Sequence, residues 1–238
     1  GLPPAKPKVP LVYHKFVNEL RAAGINVISD GPQLHIMAMT DKDIDKLAEN
    51  REITNGETVQ FEKGQRPVPG GLFDPKLTGM DGSRWSFLRL HEPMPNPVME
   101  EPIRRILGLT QKQLEDIIAG KQELHGRTGP QAIQAALKTI NVDKELEYAR
   151  EQIKSGRKTA RDVAVRKLGY LKSAQKLGIH PSEWMLTKVP VLPPKFRPVS
   201  VMSGNNMPLV TDANYLYKEL MEANNNLREM SAASDDVS

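Results

Sequence analysis

Proline and glycine decide where this chain can be regular. Of its 238 residues, 19 are Pro and 17 are Gly, and they crowd into three stretches. Gly1 to Pro10 holds four prolines and is expected to be an extended linker. Asn55 to Pro97 carries Gly70-Gly71, Asp81-Gly82 and the run Glu92-Pro93-Met94-Pro95-Asn96-Pro97. Pro190 to Pro208 is the third. Proline lacks the N–H that ladders and helices need, so none of these stretches can form long regular elements. Helices must lie between them, and the expected fold class is α+β, mainly α.

The organisation follows from that punctuation. Residues 11–50 are expected to form a small module: a helix over Leu11–Ala23, a hairpin around Asp30-Gly31-Pro32, and a second helix capped by Thr40 and ending near Glu49. Residues 51–98 are irregular, with short extended pieces at Thr58–Glu62 and Trp85–Leu90. A helical body over 99–189 follows. Its helices are expected at Met99–Leu107, from the Thr110 capping box to Gly120, from Pro130 to Ile140, over Asp143–Ser155 and over Lys158–Leu177. Residues 190–210 form a loop, 211–230 a helix and 231–238 a polar tail.

The last helix is the most informative. Ala213, Leu216, Leu220, Ala223, Leu227 and Met230 follow alternating steps of three and four residues, a heptad seam narrower than the face of a core helix. A seam of that kind is expected to need a second helix, supplied by residues downstream, by another copy or by another protein, and it is the strongest physical hint in the sequence that the segment is incomplete. The loop before it mixes apolar Val191, Leu192, Phe196, Val199, Val201 and Met202 with cationic Lys195 and Arg197. An apolar loop either packs on the body or meets a ligand. Cations beside an apolar wedge match a phosphate backbone and a base face.

Composition excludes several chemistries. There is no cysteine, so disulfides, thiolate catalysis and cysteine-held zinc are out. The formal charge of +4 permits nucleic acid without demanding it. No apolar run reaches the roughly 18 residues of a membrane helix, and an intracellular setting is expected. Asp41, Asp43 and Asp45 form a D-x-D-x-D triplet, and Glu52 falls where a calcium loop would want its last ligand. Lys46, however, stands where such a loop needs glycine, and helical spacing would spread the three carboxylates rather than converge them. Capping of a helix start is the expected role. His14, His35, His91, His125 and His180 show no zinc spacing, and no phosphate-binding glycine motif is present.

The stretch from Glu183 to Leu227 closely resembles the largest catalytic subunit, β′, of multisubunit RNA polymerases. The matching residues are Ser182-Glu183-Trp184-Met185, Leu192-Pro193-Pro194-Lys195-Phe196-Arg197-Pro198, Thr211-Asp212-Ala213-Asn214-Tyr215-Leu216-Tyr217 and Asn225-Asn226-Leu227. Upstream, Gly129-Pro130-Gln131-Ala132-Ile133 and the helices to Leu177 resemble the clamp helices, and Gly71-Leu72-Phe73 with Thr78-Gly79 resembles the family's G-L-F. The similarity runs roughly from Glu52 to Met230. Two departures stand out. The family's four-cysteine zinc ribbon is replaced by a short turn, Lys76 to Ser83. Met202-Ser203-Gly204-Asn205-Asn206 replaces the usual glycine pair and acidic residue. A divergent, phage-encoded enzyme fits these better than a housekeeping bacterial one.

The resemblance implies roles. Residues 51–98 become a clamp base without its ribbon, 99–189 the clamp body, 190–210 a lid and 211–230 the start of the clamp coiled coil. Lys195, Phe196, Arg197, Val199, Val201 and Met202 would meet the RNA–DNA hybrid and help separate its strands. Asn214, Lys218, Asn225 and Arg228 would dock a σ-type initiation factor. Partners would be the rest of β′ or other polymerase subunits, template DNA and the hybrid, in the cytoplasm of a bacterial cell or a phage-infected host. The family's Mg²⁺-binding N-A-D-F-D-G-D loop lies beyond this segment, so no cofactor and no catalysis are expected of the segment alone. The rivals are a helical scaffold that dimerises through its last helix, and a metal-dependent hydrolase built on Asp41, Asp43 and Asp45.

Overall fold

A computed structural model describes residues 39–56, 59–60, 66–197 and 211–237. Its elements are α1 (Asp41–Ala48), β1 (Val59–Gln60), β2 (Arg66–Pro67), α2 (Pro75–Thr78), β3 (Ser86–Pro95), α3 (Glu100–Leu107), α4 (Gln111–Ile118), α5 (Pro130–Lys138), α6 (Val142–Ser155), α7 (Lys158–Lys176), β4 (Met185–Val191) and α8 (Thr211–Val237). Eight helices and two two-stranded sheets among the described residues make the chain α+β and mainly α. β1 pairs antiparallel with β2, and β3 pairs with β4. The expected helix at Leu11–Ala23 and the hairpin after it lie outside the described residues.

The chain divides into two compact units, Glu92–Leu186 and Pro7–His91 with Thr187–Ser238. The first is helical. Thr110 and Gln113 close the capping box expected at α4, each side chain accepting the other's backbone N–H, at 3.1 and 2.9 Å. Gly108 ends α3 in the left-handed region at φ 68°, where a side chain would be strained. Apolar faces of these helices meet in one core containing Ile103, Leu114, Ile117, Ile133, Leu146, Leu171 and Trp184. α6 and α7 pack on each other as a helical hairpin joined only by Gly156 and Arg157. A Cβ at Gly156 would lie 2.4 Å from the carbonyl oxygen of Gln152, so the turn has room for glycine alone.

The second unit holds α1, the small sheet β1–β2, α2 and α8. Thr40 caps α1 as expected: its hydroxyl accepts from the Asp43 N–H, and the Asp43 carboxylate accepts from the Thr40 N–H at 2.9 Å. The Ile53 N–H donates to the Phe87 carbonyl at 2.8 Å and the Phe87 N–H to the Arg51 carbonyl at 2.9 Å, which ties the segment after α1 to β3.

Three sequence expectations need correction. β3 runs ten residues through Pro93 and Pro95, well beyond Leu90, because a strand in a two-stranded sheet has an open edge where a missing N–H costs nothing. β4 occupies Met185–Val191, so the helical body ends before residue 189 and the expected loop begins on a strand. Residues 231–237 continue α8 instead of forming a separate tail, since Ser231-Ala232-Ala233 contains no helix breaker.

Glycine 169, inside α7, has no atom within 4 Å of where its Cβ would be. Gly169→Ala should therefore raise the melting temperature, by about 0.5–1 kcal/mol of helix stability. Gly156→Ala should lower it through overpacking of roughly 1–3 kcal/mol. Thermal unfolding of the full chain by circular dichroism separates the two; a matched response at both positions would contradict the packing described.

Candidate nucleic-acid interface

The site is built around a buried cation. Arg197 has no solvent exposure, and every side of its guanidinium is occupied within its own unit. Nε donates to the Leu192 carbonyl at 2.7 Å, one terminal nitrogen to the Asn214 side-chain oxygen at 3.0 Å, and the other to the Leu72 carbonyl at 2.5 Å. The guanidinium carbon lies 4.8 Å from the Phe73 ring centre and 5.8 Å from that of Tyr217. Asn214 reciprocates by donating to the Arg197 carbonyl at 3.0 Å. Desolvation lowers the Arg197 pKa below its ordinary value, to about 10, which leaves it charged at neutral pH.

Tyr217 is the second fastener. Its hydroxyl donates to the Pro190 carbonyl at 3.0 Å and accepts from the Leu192 N–H at 3.1 Å. Burial pushes the phenol well above its ordinary value, so the hydroxyl keeps the proton that this arrangement uses.

Arg197 is therefore misplaced as an expected phosphate contact. Three bonds from its planar fork to carbonyl oxygens hold the chain together, and the side chain does not reach solvent. Lys195 is exposed, and Phe196 beside it is 46% exposed although large and apolar. The turn Pro194–Phe196 that carries them is pinned by the Lys195 N–H donating to the Gly82 carbonyl at 2.9 Å. Val199, Val201 and Met202 lie outside the described residues.

The last helix is only partly open. Leu216, Leu220 and Ala223 of the heptad seam are buried by their own chain, together with Tyr217, Met221 and Asn224, whereas Met230 is 67% exposed. The expectation that the whole seam awaits an absent partner is corrected: its first turns are already packed. Asn214, expected to face outward, is buried against Arg197. Lys218, Asn225 and Arg228 are exposed. A shallow cleft lined by Glu52, Thr54, Arg89, Met221, Asn225 and Arg228 runs beside the helix.

Asn224 was not singled out by sequence and proves structural. It accepts the His91 N–H at 2.8 Å and donates to the Arg89 carbonyl at 2.9 Å, so one side-chain amide stands in for a neighbouring strand on β3. The only sequence signal was its place in the run Asn224-Asn225-Asn226.

The aspartate triplet diverges as helical spacing requires. Asp41 accepts from the Thr187 N–H at 3.0 Å and its hydroxyl at 2.7 Å, Asp43 closes the cap on Thr40, and Asp45 pairs with Lys188. Among the described residues no group of three His, Asp or Glu side chains can hold a metal ion. His180 is a cap as well: Nδ1 accepts the Ser182 N–H at 3.1 Å and Nε2 donates to the Ile140 carbonyl at 2.9 Å.

Arg197→Ala should cost about 3–5 kcal/mol, because it orphans two buried carbonyls and Asn214 and leaves a cavity. Arg197→Lys should remain well short of wild type, since one ammonium cannot replace a planar fork. Tyr217→Phe should cost roughly 1–3 kcal/mol through the unpaired Leu192 N–H. Urea unfolding of the three variants checks the order; an Arg197→Lys protein as stable as wild type would show that the fork is not needed.

No family model matches the chain. Curated relatives do. The β′ subunit of DNA-directed RNA polymerase from Bacillus mycoides (strain KBAB4) is 32% identical over 106 residues, covering 44% of this chain and 9% of the relative. That of Bacillus cytotoxicus is 32% identical over 102 residues, 43% of the chain and 8% of the relative. That of Pediococcus acidilactici is 31% identical over 104 residues, 44% and 10%. The chain thus spans about a tenth of the length of these relatives. Over somewhat less than half of its residues, this chain is a segment similar to the β′ subunit of DNA-directed RNA polymerase.

Proposed function

We propose that the chain is the clamp-and-lid portion of a β′-like subunit and takes part in nucleotidyl transfer only within an assembled DNA-directed RNA polymerase. The observation that carries this is convergence on Arg197. Its side chain and backbone tie together Leu72-Phe73, Leu192 and Asn214-Tyr217. These lie in three of the stretches that resemble the family: Gly71-Leu72-Phe73, Leu192 to Pro198 and Thr211 to Tyr217. Scattered chance matches would have no reason to meet at one buried cation.

In this role the helical unit is the clamp body, and the loop after β4 is the lid. Lys195 and Phe196, with Val199, Val201 and Met202, contact the RNA–DNA hybrid and help part its strands. Arg197 fixes the root of that loop. Lys218, Asn225 and Arg228 form the exposed face that docks a σ-type initiation factor. The carboxylates of Asp41, Asp43 and Asp45 are each committed to a different partner, which speaks against a metal site built on the triplet; Mg²⁺ is assigned to a catalytic loop of the full enzyme. The dimerising scaffold is the weaker reading. With Leu216, Leu220 and Ala223 buried in their own chain, those seam positions are not open to a second copy.

In the assembled polymerase, Lys195→Ala combined with Phe196→Ala is expected to lengthen the RNA–DNA hybrid and slow transcript release. Hybrid length from ribonuclease H footprints reads this directly, and unchanged length and release would remove the lid assignment. Lys218→Ala with Arg228→Ala should slow association of the initiation factor and flatten its salt dependence. Surface-capture kinetics at two ionic strengths would show it; identical rates would dismiss the docking face.

A further inference from the structure

α7 has a second face that the helical core does not use. Ala164, Leu171 and Ala174 are buried, whereas Lys158, Arg161, Val165, Gly169, Lys172 and Lys176 are all exposed. The exposed set follows steps of three and four residues, so it occupies one side of the helix. From the first to the last of them the helix rises about 27 Å. Lys158, Arg161, Lys172 and Lys176 give this side its charge, and among the described residues none of them is in an ion pair. Lys167, by contrast, reaches Glu145 across the helical hairpin at 2.6 Å. The neighbouring α6 is balanced, with exposed Asp143, Glu147 and Glu151 set against exposed Lys144, Arg150 and Lys154. The excess of positive charge therefore belongs to α7.

The centre of the charged face is apolar and small. Val165 is 54% exposed, and Gly169 one turn later has open space where a Cβ would stand. Alanine would fit there and would favour the helix, so glycine weakens α7 without relieving any contact inside the chain. What it offers is approach: two helix axes can come to about 8 Å, the short end of their usual range, where one of them presents only a hydrogen. A phosphate backbone would use the four cations but would gain nothing from Val165 or from the missing side chain. A helix with a small apolar stripe and carboxylates on either flank would use all of them.

We propose that this face of α7 docks an acidic amphipathic helix of a partner protein. The partner's apolar stripe crosses at Gly169 and lies on Val165, and its flanking carboxylates pair with Lys158, Arg161, Lys172 and Lys176. The lid and factor-docking assignments concern residues of the other compact unit, so this proposal does not rest on them.

The test uses the full chain and a fluorescein-labelled synthetic helix of about 20 residues, long enough to span the face, made of Ala, Leu and Glu with the glutamates flanking an Ala/Leu stripe. A scrambled peptide of the same composition and a short DNA duplex are the comparison probes, all read by anisotropy. Gly169→Leu should raise the melting temperature, because leucine is the better helix former, and yet weaken peptide binding at least about tenfold by holding the partner off. Arg161→Ala combined with Lys172→Ala should also weaken it about tenfold and flatten its salt dependence, whereas Lys112→Ala on α4 should do neither. Loss in both α7 variants, with the scrambled peptide bound at least tenfold more weakly than the ordered one, supports the docking face. An unchanged affinity in Gly169→Leu overturns the close approach, and equal binding of the scrambled peptide overturns the helical partner. Tighter binding of the duplex than of the peptide, lost in the Arg161/Lys172 variant, makes the face a nucleic-acid surface and overturns the proposal. Absence of peptide binding to the wild-type chain overturns it as well.

Discussion

A buried guanidinium held, among the described residues, by carbonyl oxygens and ring faces is the constraint on which the second unit depends. Desolvating a cation is expensive, and only a full set of hydrogen bonds and ring faces offsets it. Arg197 obtains that set from places far apart in sequence: Leu72 and Phe73, Leu192, and Asn214 with Tyr217. Each contributor is therefore fixed relative to the others. The loop after β4 leaves from a rigid root, and α8 begins against that same root. Precision at the root is what allows a short exposed tip to present Lys195 and Phe196 in one orientation.

α8 shows how one helix serves two ends. Its first turns are bound into the unit by Leu216, Tyr217, Leu220 and Ala223, and Asn224 ties it to β3 through an amide that both donates and accepts. From Asn225 to Ala233 the residues are exposed or half-buried. The helix is anchored along one stretch and displayed along the next, and it is the displayed stretch that carries Asn225 and Arg228.

Local structure was largely legible. Thr40 with Asp43, Thr110 with Gln113, Gly108 and Gly129-Pro130 place helix ends correctly because capping is a contest among neighbours a few residues apart. The aspartate triplet was legible for the same reason, as helical spacing forbids its convergence. β4 was missed because Met185–Val191 contains Pro190 and stands between a capped turn and a proline-rich loop. The length of β3 was missed because prolines tolerated at an open edge look like strand breakers in sequence.

The candidate site was legible in outline and misassigned in detail. Motif resemblance singled out Arg197 and Asn214 but gave them outward roles, since charge and polarity in a loop suggest solvent. Nothing local announces that Leu72, more than a hundred positions earlier, offers a carbonyl to one and that the other completes the cage. Nor could sequence show that the Gly82 turn lies against Pro194. By itself the amino-acid order determined the helices, their caps, the absence of thiol chemistry and a resemblance to β′, because those depend on neighbouring residues or on identity alone. Only tertiary structure decided which cations face water and which hold the fold, because burial is set by long-range packing that no short window of sequence contains.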